Sequence, residues 1–403
     1  DHLSAYGYER ATSPRLEAFA AGGVLFEQAH AHSNWTQPSV SSLLTGLHPV
    51  TYDGDFTNTV PDELLLAAEW FGAHGYDTAG FTVSVAVAAV FGFDQGFDVF
   101  EELEENLSRR ERKKRWGEAF DAERVVERAF RWLDAERDEQ RPFFLYLHSV
   151  DPHMPHEPHA GATTWGDPDA YDGRLDGTVD NLHMALKQAW MLSDVDRQYI
   201  VDLYDGEVAY NDAWFGRLLD GLVERGLGHA VVLFVSDHGE ELWDRTTYGH
   251  GHENLHAELT HVPLVLGRAD AGAGLSAGGD PTTSAEAATP PVDQLPGGAR
   301  LDGLVGLVDV LPTLLDLVGL PAVPGLDGRS LAADVLAGAS PGDRQAPHQH
   351  FMDRAQKPID LRGVRTPRML FRADPVRKRQ LLYDLVRDPE AQHNLATSRP
   401  GEA

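Results

Sequence analysis

No cysteine occurs in the 403 residues. That excludes disulfides, thiolate metal sites and a cysteine nucleophile, and it leaves the redox compartment undetermined. Positive charge is scarce as well: 34 Lys+Arg stand against 63 Asp+Glu, a formal net charge of −29, and the basic residues are mostly Arg. A surface this negative disfavours nucleic acid as a partner. It also repels itself unless salt screens it, so a high-salt cytoplasm or medium is the first expectation and a cation-binding function the second. Long apolar runs are missing too. The longest, Ala79 to Phe93, is interrupted by Thr, Ser and Gly and falls short of the ~20 residues that cross a bilayer. The chain opens on Asp1 and not on Met, so we expect any targeting segment to lie upstream.

What is present reads as a βαβ rhythm. Val24-Leu25-Phe26 looks like a strand, Asp62 to His74 an amphipathic helix ended by Gly75, and Tyr76 to Phe81 a buried strand. A helix from about Asp121 to Arg137 precedes the apolar run Pro142 to Val150, which has the composition of a central strand. Asp196 to Gly226 reads as a long helix, His229 to Val235 as a strand, Glu253 to Glu258 as a short helix and Val262 to Leu266 as a strand. Residues 268–300 are rich in Ala, Gly, Thr and Pro without periodicity and read as a loop insertion. Asp309 to Val318 returns to helix, and Gly363 to Phe371 and Leu382 to Leu385 read as strand in a small C-terminal unit. The basic run Arg109 to Arg115 is either an anion-binding patch or a solvated helix face.

Four stretches could carry chemistry. Asn34 to Gly46 has a hydroxyl two residues before Pro38, then small residues, two Leu and a Gly, the pattern of a turn opening a buried helix. A helix N-terminus presents unpaired N–H groups and the positive end of its dipole, so Thr36 could attack an anionic ester held there; it could equally be an ordinary cap. Asp151-Pro152-His153-Met154-Pro155-His156 follows the apolar run at the carboxyl end of a strand, where ligands collect in open α/β sheets. A solvated His-rich loop is the plain alternative. Asp237 and His238 follow the next strand and offer a hard oxygen and an imidazole nitrogen to a divalent cation, or an acid/base pair, or else a plain N-cap. His250 lies between Gly249 and Gly251, which would let the backbone approach a ligand; a surface loop would look the same.

Taken together, these stretches resemble the sulfatase family within the alkaline-phosphatase superfamily. The match includes Asp1 to Tyr8, Thr12-Ser13-Pro14, Thr36-Gln37-Pro38-Ser39 with Leu43-Leu44-Thr45-Gly46, and Asp151-Pro152-His153. It continues through Ser236 to Glu240, His261 to Leu264, Asp309 to Thr313, Leu326 to Leu331 and Leu382 to Leu385, with Asp388-Pro389 and Asn394-Leu395. The resemblance implies an α/β fold, a mixed, mostly parallel sheet sandwiched by helices with a small C-terminal α+β subdomain, divided at 1–320 and 321–403. It implies hydrolysis or transfer at a sulfate or phosphate ester beside one divalent cation, Ca, Mn or Mg. Carried over residue by residue, Thr36 is the nucleophile and a metal contact, Asp237 and His238 are the metal pair, and His153 and His250 contact the ester or its leaving group. The substrate is an anionic ester of a glycan, lipid head group or small molecule.

Three departures shape the expectation. Sulfatases carry Cys or Ser at the nucleophile position, converted to formylglycine, with Arg four residues on; here those positions hold Thr36 and Val40. Thr cannot become that aldehyde, and members with Thr there resemble phosphodiesterases and phosphoglycerol transferases, so we expect a phosphate ester. The family's first strand, ending in metal-binding Asp, would stand just before Asp1 and is not in the sequence. Two-zinc members place an Asp and a His four apart in the middle region, where Asp151 is followed by Pro155, so one metal is expected. The alternative from another class is a non-catalytic protein of this fold that binds anionic glycans or lipid head groups.

Overall fold

A computed structural model of the chain describes residues 2–52, 59–103, 122–154, 156, 159, 165–166, 171–173, 175, 177, 192–245, 247–251, 254–271, 294–342, 345–352 and 359–399. Asp1, Pro155, the basic run at 109–115 and most of the insertion at 268–300 lie outside the described residues.

Pro14 sets the backbone for the first helix, α1 (Pro14–Gly22). Its cap comes from afar: the Asp212 carboxylate accepts the N–H groups of Arg15 and Leu16 at 2.9 and 2.8 Å. Strand β1 (Val24–His30) follows and leads to α2 (Thr36–Thr45). The helix expected over Asp62 to His74 starts only at Ala67, as α3 (Ala67–Ala73), because Leu66 is extended and its N–H is taken by Glu69 at 2.8 Å. Then come β2 (Asp77–Thr82), β3 (Val99–Glu102), α4 (Ala122–Ala135) and β4 (Phe143–His148). The long helix is α5 (Asp194–Glu224), opened by a Ser193–Asp196 capping box.

After it run β5 (Val231–Val235), β6 (Glu241–Leu242) and β7 (Tyr248–Gly249), the short helix α6 (Ala257–Thr260), and β8 (Leu264–Arg268). Helix α6 and strand β8 therefore lie a few residues beyond the expected spans. The insertion read at 268–300 ends earlier than expected, since Ala299 and Arg300 begin β9 (Ala299–Gly306). Helices α7 (Val310–Leu317) and α8 (Ala332–Ala337) follow. The stretch Gly363 to Phe371 is two strands, not one. They are β11 (Ile359–Arg365) and β12 (Met369–Asp374), flanked by β10 (Ala346–Met352) and β13 (Arg379–Asp384) in a four-stranded antiparallel sheet.

The main sheet is mixed and in two pieces. One has the order β5-β8-β1-β9, with β1 parallel to β9 and antiparallel to β8; the other, β3-β2-β4, is parallel throughout. Helices α1, α4 and α5 pack on one side through Leu16, Phe19, Val125, Ala129, Trp132 and Leu219. Helices α7 and α8 contribute Val310, Leu317 and Val335 to a cluster with Val24, Phe26 and Leu266. Burying a side chain of this size stabilises the fold by about 2–3 kcal/mol. The composition of β4 predicts a central strand, yet β4 and β5 are edges of their sheets among the described residues and every residue of both is only partly buried. Between them lies a cavity of about 1,290 Å³ lined by both strands and reached by His2 and Leu3.

Candidate active site

Helix α2 is wholly buried and starts at Thr36, with Trp35 extended before it (φ −148°). Pro38 stands in the first turn, where no backbone N–H is needed. Gly46 ends the helix at φ 70°, its N–H bonded to Ser42 O at 3.0 Å. No side-chain cap bond closes the N-terminus. Instead the Thr36 hydroxyl lies 3.3 Å from His238 Nε2 and hydrogen-bonds the Asp237 carboxylate. The cap reading of Thr36 is therefore not what the fold uses.

Asp237 and His238 leave the carboxyl end of β5, and no helix follows for them to cap. Asp237 Oδ1 accepts the His238 N–H at 3.0 Å, and the His238 Nδ1 hydrogen points to Gly239 O at 3.0 Å. Burial alone would raise the Asp237 carboxyl, but the imidazoles of His238, His148 and His250 and the Thr36 hydroxyl hold it below the usual range. Burial pushes His238 down, against the pull of Asp237.

The hairpin β6–β7 carries His250 into the same place. Gly249 and Gly251 have φ of 85° and 68°, a region open to glycine, and a Cβ on Gly251 would stand 2.7 Å from the Trp35 ring. The His250 ring packs 4.2 Å from His238, 4.8 Å from His153 and 5.2 Å from Trp35, centroid to centroid. Its Nδ1 donates to Glu240 Oε1 at 2.6 Å. His153 leaves the end of β4 and donates from Nδ1 to Met154 O at 2.5 Å. The five residues singled out from sequence, Thr36, His153, Asp237, His238 and His250, thus meet at the carboxyl ends of β1, β4 and β5.

Their neighbours divide into chemistry and scaffold. His156 is turned inward, 1% exposed, bonded to Tyr248 and packed on Tyr204. Asp151 Oδ2 accepts the N–H of Ala122 and so caps α4, while Asn211 holds Asp151 O at 3.3 Å. Glu240 was not anticipated as a site residue. The available signal was its place after Asp237-His238-Gly239, ten residues ahead of His250.

The donors suit a divalent cation. Thr36 Oγ1 and Asp237 Oδ2 lie 3.3 and 3.6 Å from His238 Nε2, separations that a shared ion about 2.0–2.4 Å from each ligand would produce. His153, Glu240 and His250 form a second group among the described residues, each with a ligand atom within 4.8 Å of the others.

The sulfatase family model matches residues 1–320. An ulvan-active sulfatase of Formosa agariphila is 25% identical over 95% of this chain and 72% of its own length. Mouse (Mus musculus) iduronate 2-sulfatase is 26% identical over 80% of this chain and 67% of its own. Among solved structures, the phosphonate monoester hydrolase of Agrobacterium radiobacter superposes with a TM-score of 0.75 at 20% identity, over 100% of this chain and 90% of that one. A protein solved with D-glucosamine-2-N,6-O-disulfate as its substrate gives 0.74 at 17%, over 100% and 92%. The mixed sheet with helices on both sides and an antiparallel C-terminal sheet is the fold those structures share. With a family match over four-fifths of its length and its candidate residues gathered at one set of strand ends, this chain belongs to the sulfatase family.

Proposed function

We propose that the protein is a metal-dependent hydrolase or transferase of phosphate or sulfate esters in which Thr36 is the nucleophile, with phosphate esters as the preferred substrates. The observation that carries this reading is the Thr36 hydroxyl at the mouth of a buried helix, 3.3 Å from His238 Nε2 and bonded to Asp237. A second supports the preference: Val40, one turn along α2, is fully buried in an apolar cluster with Leu44 and Val60. An Arg serving a sulfatase aldehyde has no counterpart at that position. The relatives above are named an ulvan-active sulfatase and an iduronate 2-sulfatase, which supports a sugar as the alcohol of the ester.

The Thr36 hydroxyl gives up its proton to solvent water, Oγ attacks the phosphorus in line and the bond to the leaving-group oxygen breaks, giving a phosphothreonine that water then hydrolyses. His153 and His250 face the ester and supply the proton the leaving oxygen needs. The α2 N-terminus favours the anion by its dipole. Asp237, His238 and Thr36 would hold a divalent cation, which would supply charge neutralisation of the ester oxygens and a lower pKa for the hydroxyl.

The test is turnover of an aryl phosphodiester and an aryl sulfate with Mg²⁺, Mn²⁺ or Ca²⁺. Faster phosphodiester cleavage, abolished in Thr36→Ala, is expected. Sulfate turnover alone, or activity untouched by that substitution, overturns the reading.

A further inference from the structure

Three of the imidazoles lining the cavity with Thr36 have Nδ1 committed to a carbonyl or carboxylate oxygen, whereas a fourth, His148, has Nδ1 on the Tyr146 hydroxyl at 2.9 Å. His153 donates to Met154 O at 2.5 Å, His238 to Gly239 O at 3.0 Å, and His250 to Glu240 Oε1 at 2.6 Å. A carbonyl or carboxylate oxygen only accepts, so each ring carries its neutral-state hydrogen on Nδ1 and turns Nε2 to other work. Two of these acceptors are backbone and cannot be replaced. The third is a side chain.

Glu240 reaches His250 because of the hairpin. Glu241 pairs with Gly249 and Leu242 with Tyr248, so the residues that flank this two-residue ladder stand opposite each other. Both side chains are nearly enclosed, 9% and 6% exposed. Holding the hairpin together is the task of the neighbour: Glu241 Oε1 accepts the N–H groups of Arg245 and Thr247, and its Oε2 accepts Asn254 Nδ2. Glu240 Oε1, by contrast, lies 2.6 Å from the His250 imidazole.

We propose that Glu240 is the positioning residue that fixes His250 with hydrogen on Nδ1, so that Nε2 is the nitrogen from which His250 passes its proton to the leaving-group oxygen. The proposal rests on the reading of Thr36 as nucleophile for its catalytic half only. In the step, His250 enters as the imidazolium with hydrogen on both nitrogens; the bond from phosphorus to the leaving oxygen breaks, the Nε2 proton goes to that oxygen, and the ring is left neutral with Nδ1–H on Glu240. Carboxylate-to-imidazole bonds of this kind orient a ring more firmly than a neutral acceptor does.

The experiment is ¹⁵N-detected NMR of the histidine tautomers in the full chain with Mg²⁺, for wild type, Glu240→Ala, Glu240→Gln and Glu241→Gln. It is paired with kcat and KM for aryl phosphodiesters of good and poor leaving groups. Glu240→Ala is expected to move His250 to a mixture with hydrogen on Nε2. It should also lower kcat on the order of 10²-fold for the poorest leaving group and far less for the best, at nearly constant KM. Glu240→Gln keeps an oxygen acceptor and is expected to restore both readouts, while Glu241→Gln changes stability but leaves the His250 tautomer in place. A His250 signal unchanged in Glu240→Ala overturns the positioning role whether or not any ester is cleaved. A kcat loss equal for all leaving groups overturns the acid role of Nε2. Turnover that survives in Thr36→Ala would instead refute the nucleophile reading, leaving the tautomer result standing.

Discussion

Thr36 Oγ1 and His238 Nε2 stand 3.3 Å apart although 202 residues separate them in the chain. Two parallel strands bring them together: β1 ends just ahead of α2 and β5 just ahead of Asp237. Strand ends of one mixed sheet therefore do for this site what no local motif does, which is to put a hydroxyl beside a carboxylate and an imidazole in a buried corner.

Replacing that hydroxyl is the first prediction. Thr36→Ala is expected to lower kcat on the order of 10³-fold or more, with the urea midpoint little changed because the helix end uses no side-chain cap there. Thr36→Ser keeps the attacking oxygen and retains most of the rate. Steady-state kinetics on an aryl phosphodiester check both.

Cation removal is the second. A ligand bound only by the folded state at about 100 times its dissociation constant adds about 2.7 kcal/mol. Chelation should therefore lower the melting temperature and abolish turnover, and Asp237→Asn should remove the melting shift between chelated and cation-loaded protein. An equal shift in the variant would place the cation elsewhere.

Acid is the third. His156 and His256 are 1% and 7% exposed. Burial pushes His156 down to about 4, and burial together with the cations Arg372, Arg245 and Arg365 pushes His256 down to about 2. As pH falls through the unfolded value near 6.5, the unfolded chain takes up these protons first. Each imidazole then removes up to about 1.4 kcal/mol of stability per pH unit. Asp212 opposes them. Burial raises it to about 6, so the folded chain takes up that proton first, and stability gains as pH falls from about 6 to about 4. The net slope is a loss from pH 7 downward, flatter below 6, and His256→Gln is expected to flatten it further in urea titrations.

Salt is the fourth. With a net charge of −29, screening of self-repulsion should raise the melting temperature between low and molar salt. A melting temperature that stayed level would refute a surface-charge origin.

Long elements with steady periodicity were legible in the sequence. The helix read at Asp196 to Gly226 is α5 at Asp194–Glu224, and all five candidate residues lie together. Strand β9 escaped because its ladder to β1 shifts register between Phe26 and Gln28. That irregularity breaks the alternation, leaving Leu301, Leu304 and Val305 buried in no simple period. The edge positions of β4 and β5 escaped for another reason: apolar composition reports what a strand could bury, not whether a neighbour is there. The role of Glu240 was harder to read, because only its place after Asp237-His238-Gly239 marks it and its partner lies across a two-residue ladder too short to leave a pattern.

The division of the main sheet has a mechanical consequence. Thr36, Asp237 and His238 hang from strands of one hydrogen-bonded ladder, whereas His153 hangs from β4 in the other. The reach from His153 to the rest is therefore not a bond-by-bond property of the site. It is a clearance, set by the width of the gap between β4 and β5, and it changes whenever that width does.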